Sequence, residues 1–323
     1  MKAVIIILSA LLSGIGLPAS AQTSDWPERP VKIIVPFSPG GSADGQARIV
    51  AQHFNDAFKQ PFVVENRVGA GGSLAVEMVV RSPADGYTLL WGVQPQIVIL
   101  PAVTKVTYDA VKDLLPISVL GTNPFVLVVN AKLPVHSIAD FVRYVRSQPA
   151  KLAHGTSGLG SVSHLSMALF LKLAGIELNP IHYRGNAPAM ADLIAGHIPV
   201  MSAALADALP HAKGGQVRLI AVTGPSRAPQ LPQVPTIAES GYPTYSVITW
   251  NGLMAPAGTP SAIIDKVANE LKRALKDPGF AARVSAFGVD PLGNTPAEFR
   301  ALIAKELPLW REAVEMAGVK LPQ

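Results

Sequence analysis

Along the chain, apolar residues change period repeatedly, and each period predicts an element. Val31 to Phe37 is a β-branched run that predicts a strand, followed by a Pro-Gly-Gly turn. From Ala43 to Phe58, apolar residues fall at 47, 50, 51, 54, 57 and 58, the spacing of one helix face. Phe62 to Glu65 predicts a second strand, Gly69-Ala70-Gly71-Gly72 opens a helix through Val80, and Tyr87 to Val93 predicts a third strand. Strands alternating with helices predict an α/β fold on a parallel sheet.

The alternation restarts near Phe125. Phe125 to Asn130 predicts a strand, and Ser137 caps a helix through Ser147. Leu152 to Gly155 predicts a strand, and the turn Thr156 to Ser161 leads into Ser163 to Leu173, apolar enough to be a buried helix. Ile181 to Tyr183, Val200 to Leu205, Val217 to Thr223 and Tyr245 to Met254 read as extended, and Pro188 suits the first turn of a helix. Two helices close the chain, Pro260 to Lys276 and Pro296 to Ala317. The restart near Phe125 and the extended segment near Tyr245 predict two lobes joined by two crossovers. Lobe 1 takes residues 26–120 plus 250–323, and lobe 2 takes residues 121–249.

Composition narrows the function classes. The 323 residues are 49% hydrophobic and 15% charged, which supports a sizeable core and excludes wholesale disorder. The absence of cysteine excludes disulfides, thiolate metal sites, a Cys nucleophile and a lipidated N-terminal Cys. Net charge is +5, but the longest basic run is Lys272-Arg273, so the basic stripe of a nucleic-acid binder is missing. At the N-terminus, Lys2, an apolar stretch from Ala3 to Leu17 and Ala19-Ser20-Ala21 form a secretory signal, residues 1–21, cleaved after Ala21. An uncleaved anchor is the alternative, although the stretch is shorter than the ~20 residues of a spanning helix. Cleavage removes Lys2 and leaves a mature charge of 5 − 1 = +4. In a bacterium the destination is the periplasm.

Two glycine turns carry the candidate chemistry. In Pro39-Gly40-Gly41-Ser42-Ala43-Asp44, glycine permits positive φ and close ligand approach. The helix that follows offers free N–H groups and partial positive charge, enough to bind a carboxylate or phosphate without a charged side chain. Thr156-Ser157-Gly158-Leu159-Gly160-Ser161 adds hydroxyls to the same pattern. The same residues also describe two plain tight turns. Neither turn is a nucleotide motif. No Gly-Lys-Ser/Thr follows a loop, and Leu74 stands where the dinucleotide fingerprint needs Gly or Ala. Asp44 suits a helix start in any case. Arg184 is placed either to fork onto a ligand carboxylate or simply beside a turn. The seven His show no metal spacing. Ser161, Ser163 and His164 lack an orienting third group, so Ser163 reads as a helix cap and His164 as a first-turn residue rather than as a hydrolase pair. Trp250 reads as core, with a cleft wall as the alternative.

The combination of WPERPVKIIVPFSPGGSAD (26–44), VVENRVGAGGSLA (63–75), ADGYTLL (84–90), YRGNAPAMADLIAGHI (183–198), ALPHAKGGQVRLIAVT (208–223), LPQVPTIAESGYP (231–243) and GLMAPAGTP (252–260) resembles the Bug/TctC group, extracytoplasmic solute receptors of tripartite tricarboxylate transporters. The resemblance runs through nearly the whole mature chain. It implies a two-lobed α/β fold of the periplasmic-binding-protein type (type II-like), closing on a small carboxylate with no cofactor, metal or catalysis. It implies that backbone amides and waters hold the ligand at Gly40, Gly41, Ser42, Ala43 and Asp44 in one lobe. In the other, the role falls on Ser157, Gly158, Gly160, Ser161 and the loop Tyr183, Arg184, Gly185, Asn186 and Ala187. Phe37, Gln94 and Ala203 complete the candidate ligand set, at places where the chain departs from the pattern. Ala203 replaces the usual Asp of Phe-Asp-Asn, and its lack of charge argues against a ligand bearing an ammonium group. The implied partners are the membrane permease subunits of the transporter, or a membrane sensor kinase.

Overall fold

The computed structural model describes residues 26–319; the expected signal, residues 1–21, lies outside them. The first part of the chain folds as expected, within a residue or two at each boundary. Strand β1 (Val31–Val35) leads to α1 (Ser42–Phe58), β2 (Phe62–Asn66), α2 (Ser73–Val80) and β3 (Thr88–Val93). β1 lies between β2 and β3, parallel to both. A π-helical turn, Pro95–Ile99, and the short α3 (Leu100–Val103) then carry the chain to a strand of 17 residues, β4 (Leu114–Asn130).

β4 is the first of two crossing strands. Its first part pairs antiparallel with β9 (Ile248–Pro256), from Leu114 opposite Pro256 to Pro124 opposite Ile248. Its last part pairs antiparallel with β7 (Val200–Ala204) and β8 (Val217–Val222). β7 is in turn parallel to β5 (Ala153–Thr156), which is parallel to β6 (Asn179–His182). The strand order is β2-β1-β3-β9-β4-β7-β5-β6, with β8 also on β4. The sheet is therefore mixed rather than parallel. The expected βαβ pattern holds within each lobe, but both connecting strands run against their neighbours. Only Phe125 to Asn130 reads as strand in the sequence, because Pro116, Gly121 and Pro124 break the run before it. The structure accommodates two of these at register shifts, between Pro116 and Ser118 and between Val119 and Gly121.

Helices cover both lobes: α4 (Ile138–Ser147), α5 (Val162–Ala174), α6 (Asn186–Ala195), α7 (Leu205–Lys213), α8 (Ser261–Leu275), α9 (Pro278–Ser285) and α10 (Pro296–Met316). Ser137 caps α4 as expected, accepting from the Asp140 N–H. α5 is buried along most of its length. α7 and α9 are absent from the sequence reading; they are short, and Pro210 sits inside the first. α10 begins with a reciprocal Thr295–Glu298 capping box and packs on β4, α5 and the π-helical turn, so one apolar cluster runs from Ile34 through Phe170 to Trp310.

A buried carboxylate ties α10 to the crossing strands. Trp250 of β9 is fully buried, as core, edge-on to Phe299 at 4.8 Å, and its Nε1 donates to Glu306 Oε2 at 2.9 Å. Gln94 Nε2 donates to the same oxygen at 3.3 Å and to the Ile248 carbonyl at 3.4 Å. Burial raises the Glu306 carboxyl to about 7, against the opposing pull of those two donors and of Lys305. The folded protein therefore holds this proton more tightly than the unfolded chain does. Its contribution to stability is full below the ordinary value of 4.5 and declines as pH rises to about 7. Replacing Glu306→Gln should flatten that dependence. Between pH 5 and pH 8 the parent should lose about 2–3 kcal/mol relative to the variant, measured by denaturant unfolding at the two pH values. Parallel curves would show that Glu306 titrates normally.

Candidate functional site

The C-terminal ends of β1 and β7 face each other across a cavity of about 770 Å³ beside the crossing strands. From lobe 1 come Phe37 to Ala43; from lobe 2 come Ala204 to Asp207; Asn123, Thr249 and Asn251 of the crossing strands form the floor. That volume is in the range of small-molecule sites. Among the described residues, no Lys, Arg or His lines it, and Asp207 is its single charged side chain.

What the wall offers instead is helix starts. α1 begins after Gly41 with no side-chain cap, and α7 begins after Ala204 with none. The first N–H groups of each helix have no partner within the helix and carry the positive end of its dipole. The positive φ belongs to Gly40 (φ +84), not to Gly41, which is extended at φ −78. The Gly40 N–H donates to Asp44 Oδ2 at 2.9 Å, which folds the turn back onto its own helix. Arg48 Nε reaches the same oxygen at 2.9 Å, and Asn66 Nδ2 donates to Oδ1 at 2.9 Å. Burial alone would raise the Asp44 carboxyl; the bonds from Arg48, Gly40 and Asn66 outweigh it and hold it down at about 2. Asp44 is thus buried and paired, a brace for the turn, and leaves the N–H groups of Ser42 and Ala43 to the cavity. Ser42 Oγ accepts from Gln46 Nε2 at 2.8 Å, and Gln46 Oε1 accepts from Asn251 Nδ2 at 2.8 Å. With its oxygen so engaged, the Ser42 hydroxyl proton is available to a ligand.

The second glycine turn is arranged differently. Ser157, Gly158, Gly160 and Ser161 are not in the wall of this cavity. Ser161, rather than Ser163, caps α5, accepting from the His164 N–H. Ser163 lies inside the helix, fully buried, and its Oγ accepts the Ser157 N–H at 2.7 Å while meeting the Ser157 and Ser161 hydroxyls at 2.9 and 3.0 Å. His164, in the first turn, takes the Gly160 N–H on Nδ1 at 3.2 Å, and Ser161 Oγ donates to the Gly158 carbonyl at 2.7 Å. These hydroxyls serve the turn itself. His154 and His164 are both brought down to about 4, by burial first and then by neighbouring imidazoles, so both are uncharged near neutral pH. The turn rests on Val103 of α3.

The remaining candidates scatter. Gln94 is fully buried in the Glu306 cluster. The Tyr183 hydroxyl donates to Asp192 at 2.7 Å, and Arg184 is exposed. Gly185 is the N-cap of α6, Asn186 and Ala187 line a neighbouring cavity between α6 and α7, and Asn186 Nδ2 donates to Asp207 at 2.7 Å. Ala203 is fully buried in the core of lobe 2 and lines no part of the cleft. The carboxylate in the cavity wall is instead Asp207, which the sequence reading did not single out. Sequence reading missed α7 because Val200 to Leu205 continues as apolar through the strand end; Ala-Asp-Ala at 206–208 was the available sign of a helix start.

The chain matches known proteins over most of its length. Residues 46–319 match the family described as Tripartite tricarboxylate transporter family receptor. Protein BugT of Bordetella pertussis is 37% identical over 311 residues, covering 96% of this chain and 95% of BugT. Rpa4515 of R. palustris, solved with adipate, is 34% identical, with a TM-score of 0.77 over 92% of this chain and 100% of that one. MatC from Rhodopseudomonas palustris, solved with bound malate, is 31% identical, with a TM-score of 0.73 over 90% and 100%.

Because Ser163 holds a backbone donor that has no other partner, Ser163→Ala should cost about 1–3 kcal/mol, more than the ~1 kcal/mol expected for Ser161→Ala at the half-buried cap. Denaturation midpoints of the two variants check the order; the reverse order would remove Ser163 from the centre of the turn.

Proposed function

We propose that this chain, which belongs to the tripartite tricarboxylate transporter receptor family, is an exported solute-binding protein that takes a small carboxylate into the cleft between its lobes and delivers it to membrane permease subunits. The observation that carries the reading is the pair of uncapped helix starts, α1 and α7, meeting in one cavity without a basic side chain. Such a site favours an anion through N–H groups and dipoles alone. The carboxylates held by two relatives, adipate and malate, agree with it in chemical class. The ligand carboxylate sits at Ser42 and Ala43, and the crossing strands β4 and β9 act as the hinge on which the lobes close. Export follows from the signal pattern of residues 1–21, and among the described residues no helix is long and apolar enough to cross a membrane.

A thermal-shift screen of small carboxylates on ligand-stripped protein tests the reading, since a ligand at 100 times its Kd adds about 2.7 kcal/mol. Gly41→Val should weaken binding of the best carboxylate at least about tenfold while the protein stays folded. The extended backbone of Gly41 accepts a side chain, whose nearest contact is the Ser38 carbonyl at 3.6 Å, and the added bulk enters the anion's approach. Gly40→Val, at positive φ, should instead cost about 1–2 kcal/mol of stability. Arg184→Ala should change affinity less than about threefold, because the side chain lies outside the cavity wall. Calorimetric titration ranks the three. Normal binding by Gly41→Val with loss of binding by Arg184→Ala would place the anion on a guanidinium and overturn the backbone-amide site.

A further inference from the structure

A second cavity, of about 610 Å³, opens on lobe 2 and shares no residue with the cleft. It runs along α5 from His164 past Ala168 and Leu171, and is completed by His154 of β5, by Leu178 in the turn after α5 and by Met316 near the end of α10. Most of this lining is apolar. The buried polar part of it is a pair of imidazoles: His154 and His164 are 2% and 3% exposed, with ring centroids 6.4 Å apart.

The hydrogen bonding of this pair is incomplete. His164 Nδ1 accepts the Gly160 N–H, so in the neutral ring Nε2 carries the proton, and among the described residues that proton has no acceptor. His154 Nδ1 is buried with no partner; the Gly155 backbone pulls on the ring without completing a bond to that nitrogen. A buried side-chain nitrogen left unpaired is uncommon in a folded protein. Beside a largely apolar cavity, it marks where the polar group of a bound molecule belongs. The charges at the opening nearly cancel. Lys151 and Glu177 pair with each other, and Lys172 lies in the last turn of α5, where the negative end of the helix dipole offsets it.

We propose that this cavity is a second binding site, taking an uncharged aromatic molecule that carries one hydroxyl, the chemistry of a phenol. A hydroxyl both donates and accepts, so one group can meet a bare nitrogen of His154 and the N–H of His164. An aromatic body covers apolar walls with no rotatable bonds to immobilise, and its ring suits the Met316 thioether. The site goes beyond the carboxylate reading of the cleft and does not depend on it.

The test is NMR of the imidazole signals of His154 and His164 in the full protein, assigned with His154→Phe and His164→Gln, during titration with phenol, benzene, anisole and benzoate. Phenol should shift both rings with a Kd of about a millimolar or tighter. It should bind about tenfold tighter than benzene, the discrimination of the hydrogen bonds made by its hydroxyl. Anisole, which accepts but cannot donate, should fall between the two. Benzoate should leave both signals in place. His154→Phe should cut the phenol-to-benzene ratio to about threefold or less, read from His164. Ala168→Phe fills the cavity from a half-buried position on α5 and should abolish the shifts while the protein stays folded. Gly41→Val, which alters the cleft, should respond to phenol as the parent does. No shift of either ring by about 10 mM phenol overturns the site. Equal binding of phenol and benzene, or a ratio unchanged in His154→Phe, overturns the role of the histidines. Stronger shifts with benzoate overturn the uncharged class, and loss of the phenol response in Gly41→Val would place phenol in the cleft instead.

Discussion

The antiparallel ladder between β4 and β9 is the constraint on which everything else in this protein depends. It is the one place where lobe 1 is closed, since β9 fills the space between β3 and β4, and it is also where the chain passes to lobe 2 and returns. Because both passages are strands in one ladder, their relative positions are fixed by backbone hydrogen bonds rather than by flexible linkers. The cavity floor, Asn123, Thr249 and Asn251, belongs to the same ladder. A change in the angle between lobes must therefore pass through residues that also touch the ligand space. The Trp250–Glu306–Gln94 cluster on the far side of the ladder braces it against α10.

The cleft is an electrostatic arrangement built from the backbone. Paired lysines or arginines would hold an anion strongly but would also need an anion when the site is empty. Helix starts impose a smaller demand, because water can satisfy free N–H groups in the open state. The protein then adds charge of the opposite sign, Asp207, to the second lobe.

Much of this was legible in the sequence. The alternation of periods located the principal strands and helices of both lobes, because each amphipathic or β-branched run carries its own signature. The α1 turn was legible as well, from two glycines at a strand–helix junction. The second turn was only partly legible, since the Ser157 and Ser161 hydroxyls, candidate ligand donors in a linear reading, both meet the buried Ser163, which the sequence suggested as the cap of α5. Hydrogen bonding between residues of one turn uses the same groups that ligand binding would, and sequence cannot divide them. The first part of β4 was hidden by Pro116 and Gly121, which the fold tolerates at register shifts, and by Pro124. Ala203 stood in the sequence pattern as a cleft residue, but it is buried in the core of lobe 2, and the acid in the cavity wall is Asp207, in the first turn of α7.

The position of β9 in the sheet has a consequence for how the molecule is made. The strand that occupies the centre of the β3-β9-β4 ladder comes from residues 248–256, after every element of lobe 2 has been synthesised. A growing chain that ends before Ile248 has β3 and β4 with no strand between them, and their inner edges unpaired. Lobe 1 therefore cannot complete itself in the order of synthesis. The pairing of Leu90 with Met254 spans more than half the chain, and closing so large a loop is slow relative to local folding.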